Sequence, residues 1–155
     1  MILSDIHLEE FTAIDVETTG LDLYSDKIIE ISAVKFKNGK IIDQFTSFIN
    51  PSKKIPSFIE KLTGISNDDV LDAPRFDEIS NDLVDFIGNS PIVGHNIKFD
   101  IDFINSELKG LFDLYNCNLI CDTYYLSKIF LYDIHSYKLE SLCNHFNINI
   151  NNSHR

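Results

Sequence analysis

Apolar and polar residues alternate in short blocks along this chain, and each block reads as one element. Residues 11–16 (FTAIDV) form a β-rich apolar run ending in acidic residues, which predicts a buried strand. Residues 27–36 (KIIEISAVKF) and 40–49 (KIIDQFTSFI) mix alternation with β-branched side chains and predict two more strands. Asn38-Gly39 lies between them. Both residues accept positive φ, so a tight hairpin and antiparallel pairing follow. Pro51 and Pro56 break the strand pattern, and residues 57–62 predict a short helix stopping at Gly64. Phe76, Ile79, Leu83, Phe86 and Ile87 form a helical stripe that Gly88 ends. Residues 91–94 (PIVG) predict a short buried strand, and residues 97–108 a helix with Ile97, Ile101, Ile104 and Leu108 on one side. A strand at 119–121 and helices at 123–131 and 137–146 complete the pattern, before a polar stretch at 147–155. A hairpin followed by alternating helices and strands predicts a mixed α/β sheet with helices on both faces.

The length of 155 residues suits one domain. No apolar run reaches the roughly 20 residues that span a bilayer, and the N-terminus lacks the plan of a secretory signal. No membrane association and a cytoplasmic location are therefore expected. The net charge of −11 argues against a protein that coats nucleic acid by neutralising phosphates. It leaves room for one that grips a strand end through bound cations. Cys117, Cys121 and Cys143 are odd in number and lack a tight Cys-x2-Cys knuckle, so they read as reduced thiols rather than as a zinc site.

Asp15 and Glu17 stand at i and i+2 of the first strand and face the same way. Two carboxylates on one side repel each other unless a cation lies between them. Thr12, Ala13 and Ile14 precede Asp15 and Val16 follows it, so its backbone is expected to be interior and its carboxylate to need a partner. Oxygen-only ligands favour Mg²⁺ or Mn²⁺. Asp100 opens a predicted helix, where an isolated Asp ordinarily complements the dipole. Asp22 and Asp26 read as an acidic turn, and His95 by itself as a turn histidine.

Taken together these residues say more. Asp15-Val16-Glu17-Thr18-Thr19-Gly20 after a strand, followed by Gly94-His95-Asn96-x-x-Phe99-Asp100, resembles the first two motifs of the DEDDh exonucleases. This family includes the epsilon-type proofreading subunits of bacterial DNA polymerase III, and ribonuclease T. The segments between the motifs are similar in order and spacing: residues 28–34 (IIEISAV), Ile49-Asn50-Pro51, Leu62-Thr63-Gly64-Ile65, Asp72-Ala73-Pro74 and Asp122-Thr123. The family's third motif is His-x4-Asp. Asn152-Ser153-His154-Arg155 looks like its beginning, and the partner Asp would fall beyond Arg155.

The resemblance implies a ribonuclease H-like fold, a mixed sheet of about five strands with flanking helices. It also implies a 3′→5′ exonuclease that releases nucleoside 5′-monophosphates. Two Mg²⁺ or Mn²⁺ ions roughly 4 Å apart would clamp the scissile phosphate. Asp15 would bridge both ions, Glu17 would hold the one carrying the attacking water, and Asp100 the one at the leaving 3′-oxygen. His154 would be the general base. Thr18, Thr19, Gly20 and Leu21 would form the floor under the terminal nucleotide, with His95, Asn96 and Phe99 on its other side. The implied partners are a single-stranded DNA 3′ end, RNA as a second substrate class, and a DNA polymerase. The chain reads as one exonuclease domain cut short in its C-terminal helix. With the fourth carboxylate absent, this form is expected to be inactive or weak. The alternative is a non-cutting module that binds nucleic-acid ends or a polymerase.

Overall fold

Five strands form one sheet in the order β3-β2-β1-β4-β5, in the computed structural model of the protein, which describes residues 9–149. β2 (Ile28–Lys37) pairs antiparallel with both β1 (Glu10–Thr18) and β3 (Lys40–Phe48). Asn38 and Gly39 join β2 to β3 at φ 51° and 72°. Positive φ at both residues suits the twist of the flanking strands. β4 (Ile92–Gly94) then pairs parallel to β1, and β5 (Ile120–Asp122) parallel to β4. A parallel pair needs a crossover connection. Between β3 and β4 the chain passes through α1 (Ser57–Thr63), α2 (Asn67–Val70) and α3 (Phe76–Ile87). Between β4 and β5 it passes through α4 (Lys98–Leu108) and α5 (Leu114–Cys117), and α6 (Thr123–Phe130) and α7 (Leu139–His145) follow.

Alternation along β1 sends Ile14 and Val16 into the main core. There they join Ile31 and Ala33 of β2, Leu83 and Ile87 of α3, and Ile101, Ile104 and Leu108 of α4. Ile101 and Ile104 are fully buried, and each such side chain contributes about 1.5–3 kcal/mol relative to exposure. A second cluster gathers Ile29 of β2 with Ile55, Ile59, Ile65 and Val70, which anchors α1 and α2. Ser66 and Asp69 cap α2 reciprocally.

The expected sheet and principal helices are present. β1 runs on to Thr18 rather than stopping at Val16, because β2 supplies partners: Glu17 pairs with Glu30, and Thr18 with Ile28 after a register shift. The short helices α2 and α5 were not predicted, being too brief to carry a periodic signal. Among the described residues no helix is long and apolar enough to cross a membrane.

Candidate active site

The parallel pairing of β1 and β4 brings the carboxyl ends of both strands to one edge of the sheet. Asp15 and Glu17 are delivered by β1. The β4–α4 corner brings Gly94, His95 and Asn96, and the first turn of α4 adds Asp100. The corner is tight. A side chain at Gly94 would run into Ile97 and come within 3.1 Å of the Ile14 carbonyl oxygen. Asn96 turns the chain into α4 from the left-handed region, at φ 59°.

One hydrogen bond locks the two motifs together. The Val16 N–H donates to Asp100 Oδ1 at 2.9 Å, across 84 residues of sequence. Val16 lies between Asp15 and Glu17, so Asp100 is tied to the backbone that carries the other two carboxylates. Asp100 is 6% exposed. Burial pushes its carboxyl up to about 7, and the charges of Asp15 and Glu17 push the same way, while the Val16 N–H opposes them.

The backbone of Asp15 is interior as expected, since β1 lies between β2 and β4, but the buried carboxylate is Asp100 and not Asp15. Asp15 is exposed, with Ala13 and Glu17 half-buried beside it in the alternation, while Ile14, Val16 and Thr18 take the covered face. Alternation specifies two faces but does not say which one is covered. The register also puts Glu30 directly across from Glu17. Like charges in that relation are unfavourable without a counter-charge. Glu30 was not among the expected site residues, and only strand register reveals its position.

The loop after β1 is built around Asp26. Its carboxylate accepts from Thr19 Oγ1 at 2.9 Å, from the Asp22 N–H at 3.0 Å and from Lys53 Nζ at 3.2 Å. Those bonds hold the Asp26 carboxyl below the ordinary range despite the opposing effect of desolvation. Thr18 and Thr19 are buried and Gly20 is half-buried against Asp26, whereas Leu21 is 84% exposed. On the other side Phe99 leans into the core against Phe103, centroid to centroid 4.7 Å, and Asn96 is exposed. His95 is half-buried and lies 5.7 Å from the Tyr124 ring, edge to face. Asp122, at the N-cap of α6, accepts from the Asn96 N–H at 3.0 Å and from the Tyr124 N–H at 2.8 Å, which pins the β4–α4 corner to β5. The Asp122-Thr123 pair was visible in the sequence only as a motif without a role. His154 lies outside the described residues.

The donor set is oxygen-only, and it concentrates negative charge around a buried carboxyl that resists ionising alone. That chemistry fits hard divalent cations. Among the described residues no three His, Cys, Asp or Glu side chains stand together as a ready-made metal cage. The three thiols are free, as expected.

Residues 12–155 match the exonuclease family. The chain belongs to that family. A DNA polymerase III PolC-type protein of Caldanaerobacter subterraneus subsp. tengcongensis is similar to this exonuclease-family chain. The two are 44% identical over 153 residues, which is 98% of this chain and 11% of that protein. A DNA polymerase III subunit epsilon of Treponema pallidum is 37% identical over 147 residues, covering 94% of this chain and 68% of that protein. The chain therefore spans about a tenth of the PolC-type relatives and two thirds of the epsilon subunit. The zinc-bound complex of E. coli ExoI with single-stranded DNA has the same fold. Its TM-score is 0.77 at 18% identity, covering 94% of this chain and 37% of that one.

Proposed function

We propose that this chain is a 3′→5′ exonuclease domain acting on single-stranded DNA 3′ ends and releasing nucleoside 5′-monophosphates. The observation that carries the reading is the bond from the Val16 N–H to Asp100 Oδ1, which gathers carboxylates from two distant motifs at one strand edge. Asp15, Glu17 and Asp100 are the residues that would hold two Mg²⁺ or Mn²⁺ ions. Such ions, when bound, offset the charge of the scissile phosphate and of the departing oxygen. The chain's own residues do the rest. Asp100 is held rigidly by its backbone bond. Leu21, exposed beside the β1 end, offers an apolar surface to the terminal nucleotide. Thr18, Thr19 and Gly20 shape the floor beneath it, and His95, Asn96 and Phe99 bound the other side. His154 is the group assigned to take the proton of the attacking water, a task suited to imidazole near neutral pH. The relatives' names support a setting beside a DNA polymerase. RNA is the second substrate class to test.

Incubating the chain with 5′-labelled single-stranded DNA and Mn²⁺, with Asp15→Asn as control, tests the proposal. A weak ladder of 3′-shortened products at high enzyme concentration, lost in the control, is the expected result. A ladder that survives Asp15→Asn, or the absence of one at high enzyme concentration, refutes cutting at this site by this chain.

A further inference from the structure

Two hydrogen bonds meet at the Thr123 hydroxyl. Its oxygen lies 3.1 Å from the Gly94 carbonyl oxygen and 3.1 Å from His95 Nδ1. A threonine hydroxyl has one hydrogen to give, and a carbonyl oxygen has none. The Thr123 hydrogen therefore goes to Gly94, and the hydrogen in the second contact comes from Nδ1. We infer that Thr123 is a positioning residue that holds His95 as the Nδ1–H tautomer, so that Nε2 offers a lone pair to the terminal nucleotide and accepts a hydrogen bond from its sugar 3′-hydroxyl.

The surroundings hold this arrangement still. Asp122 pins the Asn96 and Tyr124 N–H groups, on either side of the His95–Thr123 contact. The Tyr124 ring stands edge to face with the imidazole. His95 lines an open groove shared with Asp15, Ser32, Val93 and Thr123. A histidine beside phosphate chemistry is ordinarily expected to donate to a phosphate oxygen. A neutral ring whose only N–H is already used cannot do so, because phosphate oxygens are acceptors too. The donors available on a strand end are sugar hydroxyls and base N–H groups. Base donors change with sequence, whereas a 3′-hydroxyl is present at every uncut end. The choice of ligand rests on the proposed exonuclease function; the tautomer does not.

The tautomer is read directly from two-bond ¹⁵N–¹H correlation spectra of the histidine-labelled full chain in mildly alkaline buffer, with His95→Phe to assign the ring. Expected are a protonated Nδ1 and an unprotonated Nε2 at His95. Thr123→Val should shift the ring toward the Nε2–H form, and Thr123→Ser should keep it. An Nε2–H ring in the unmodified chain, or a Thr123→Val spectrum unchanged at His95, overturns the inference. A second arm measures binding of 5′-fluorescent oligonucleotides ending in 3′-hydroxyl or 3′-hydrogen, with Ca²⁺ present. The hydroxyl end should bind roughly 3–10-fold tighter, a preference lost in Thr123→Val and kept in Thr123→Ser. Equal binding of the two ends overturns the hydroxyl assignment. If neither end binds, the proposed function and the hydroxyl assignment fall together, while the spectrum still decides the tautomer.

Discussion

Replacing Asp100 with Asn separates the charge of this carboxyl from its hydrogen bond. The side-chain oxygen that accepts from the Val16 N–H at 2.9 Å is retained, and the ionisable group is lost. Burial, aided by the charges of Asp15 and Glu17, raises the folded-state carboxyl from 3.8 to about 7. The unfolded chain ionises Asp100 at its ordinary value, so folding takes up a proton anywhere between the two. Stability in the absence of metal therefore falls as pH rises through that window. At ~1.4 kcal/mol per pH unit, the full window corresponds to roughly 4 kcal/mol above about pH 7, an upper value because water entering the site lowers it. In EDTA at about pH 8, Asp100→Asn should be more stable than the unmodified chain by up to ~4 kcal/mol, shrinking below ~2 kcal/mol at about pH 5. Urea titrations followed by circular dichroism across that range provide the measurement. Saturating Mn²⁺ should then reverse the order, stabilising the unmodified chain through binding while leaving the variant unmoved. The reasoning is refuted by a variant that is no more stable than the parent at about pH 8, or by an advantage that does not shrink on acidification.

Three further outcomes follow from the same geometry. Gly94→Ala drives a Cβ into the Ile97 side chain and toward the Ile14 carbonyl oxygen at 3.1 Å, so a loss of about 1–3 kcal/mol is expected in chemical denaturation. Asp122→Ala removes the N-cap of α6 and the acceptor for the Asn96 N–H. It should cost about 1–2 kcal/mol, and Asp122→Asn should recover most of it in the same titration. In timed thiol labelling with mass detection, exposed Cys117 should react first. Cys121 should lag behind it, because burial raises its thiol above the ordinary value. Equal rates at Cys117 and Cys121 would contradict the described packing.

Strands, hairpin and helices were legible in the sequence because each rests on a local rule. A β-rich apolar run marked β1, alternation marked β2 and β3, the Asn38-Gly39 pair marked the hairpin, and a 3.6-residue stripe marked α3. The two carboxylate motifs were legible for the same reason, since each is a short run of residues on one element. What the sequence left open was every relation between elements. Parallel pairing of β1 with β4 closes the separation of 84 positions from Val16 to Asp100, and no local signal specifies that contact. The covered face of β1 depends on what packs against it, which is why Asp100 is the buried acid and Asp15 the exposed one. Register alone sets Glu30 across from Glu17. The hydroxyl of Thr123 meets His95 only because β5 lies beside β4. The sequence thus determined which elements form and which residues carry chemistry, because propensity and periodicity act within a few residues. Tertiary structure decided which of those residues share a site, which are buried and how they titrate, because burial and electrostatic coupling depend on distances in space.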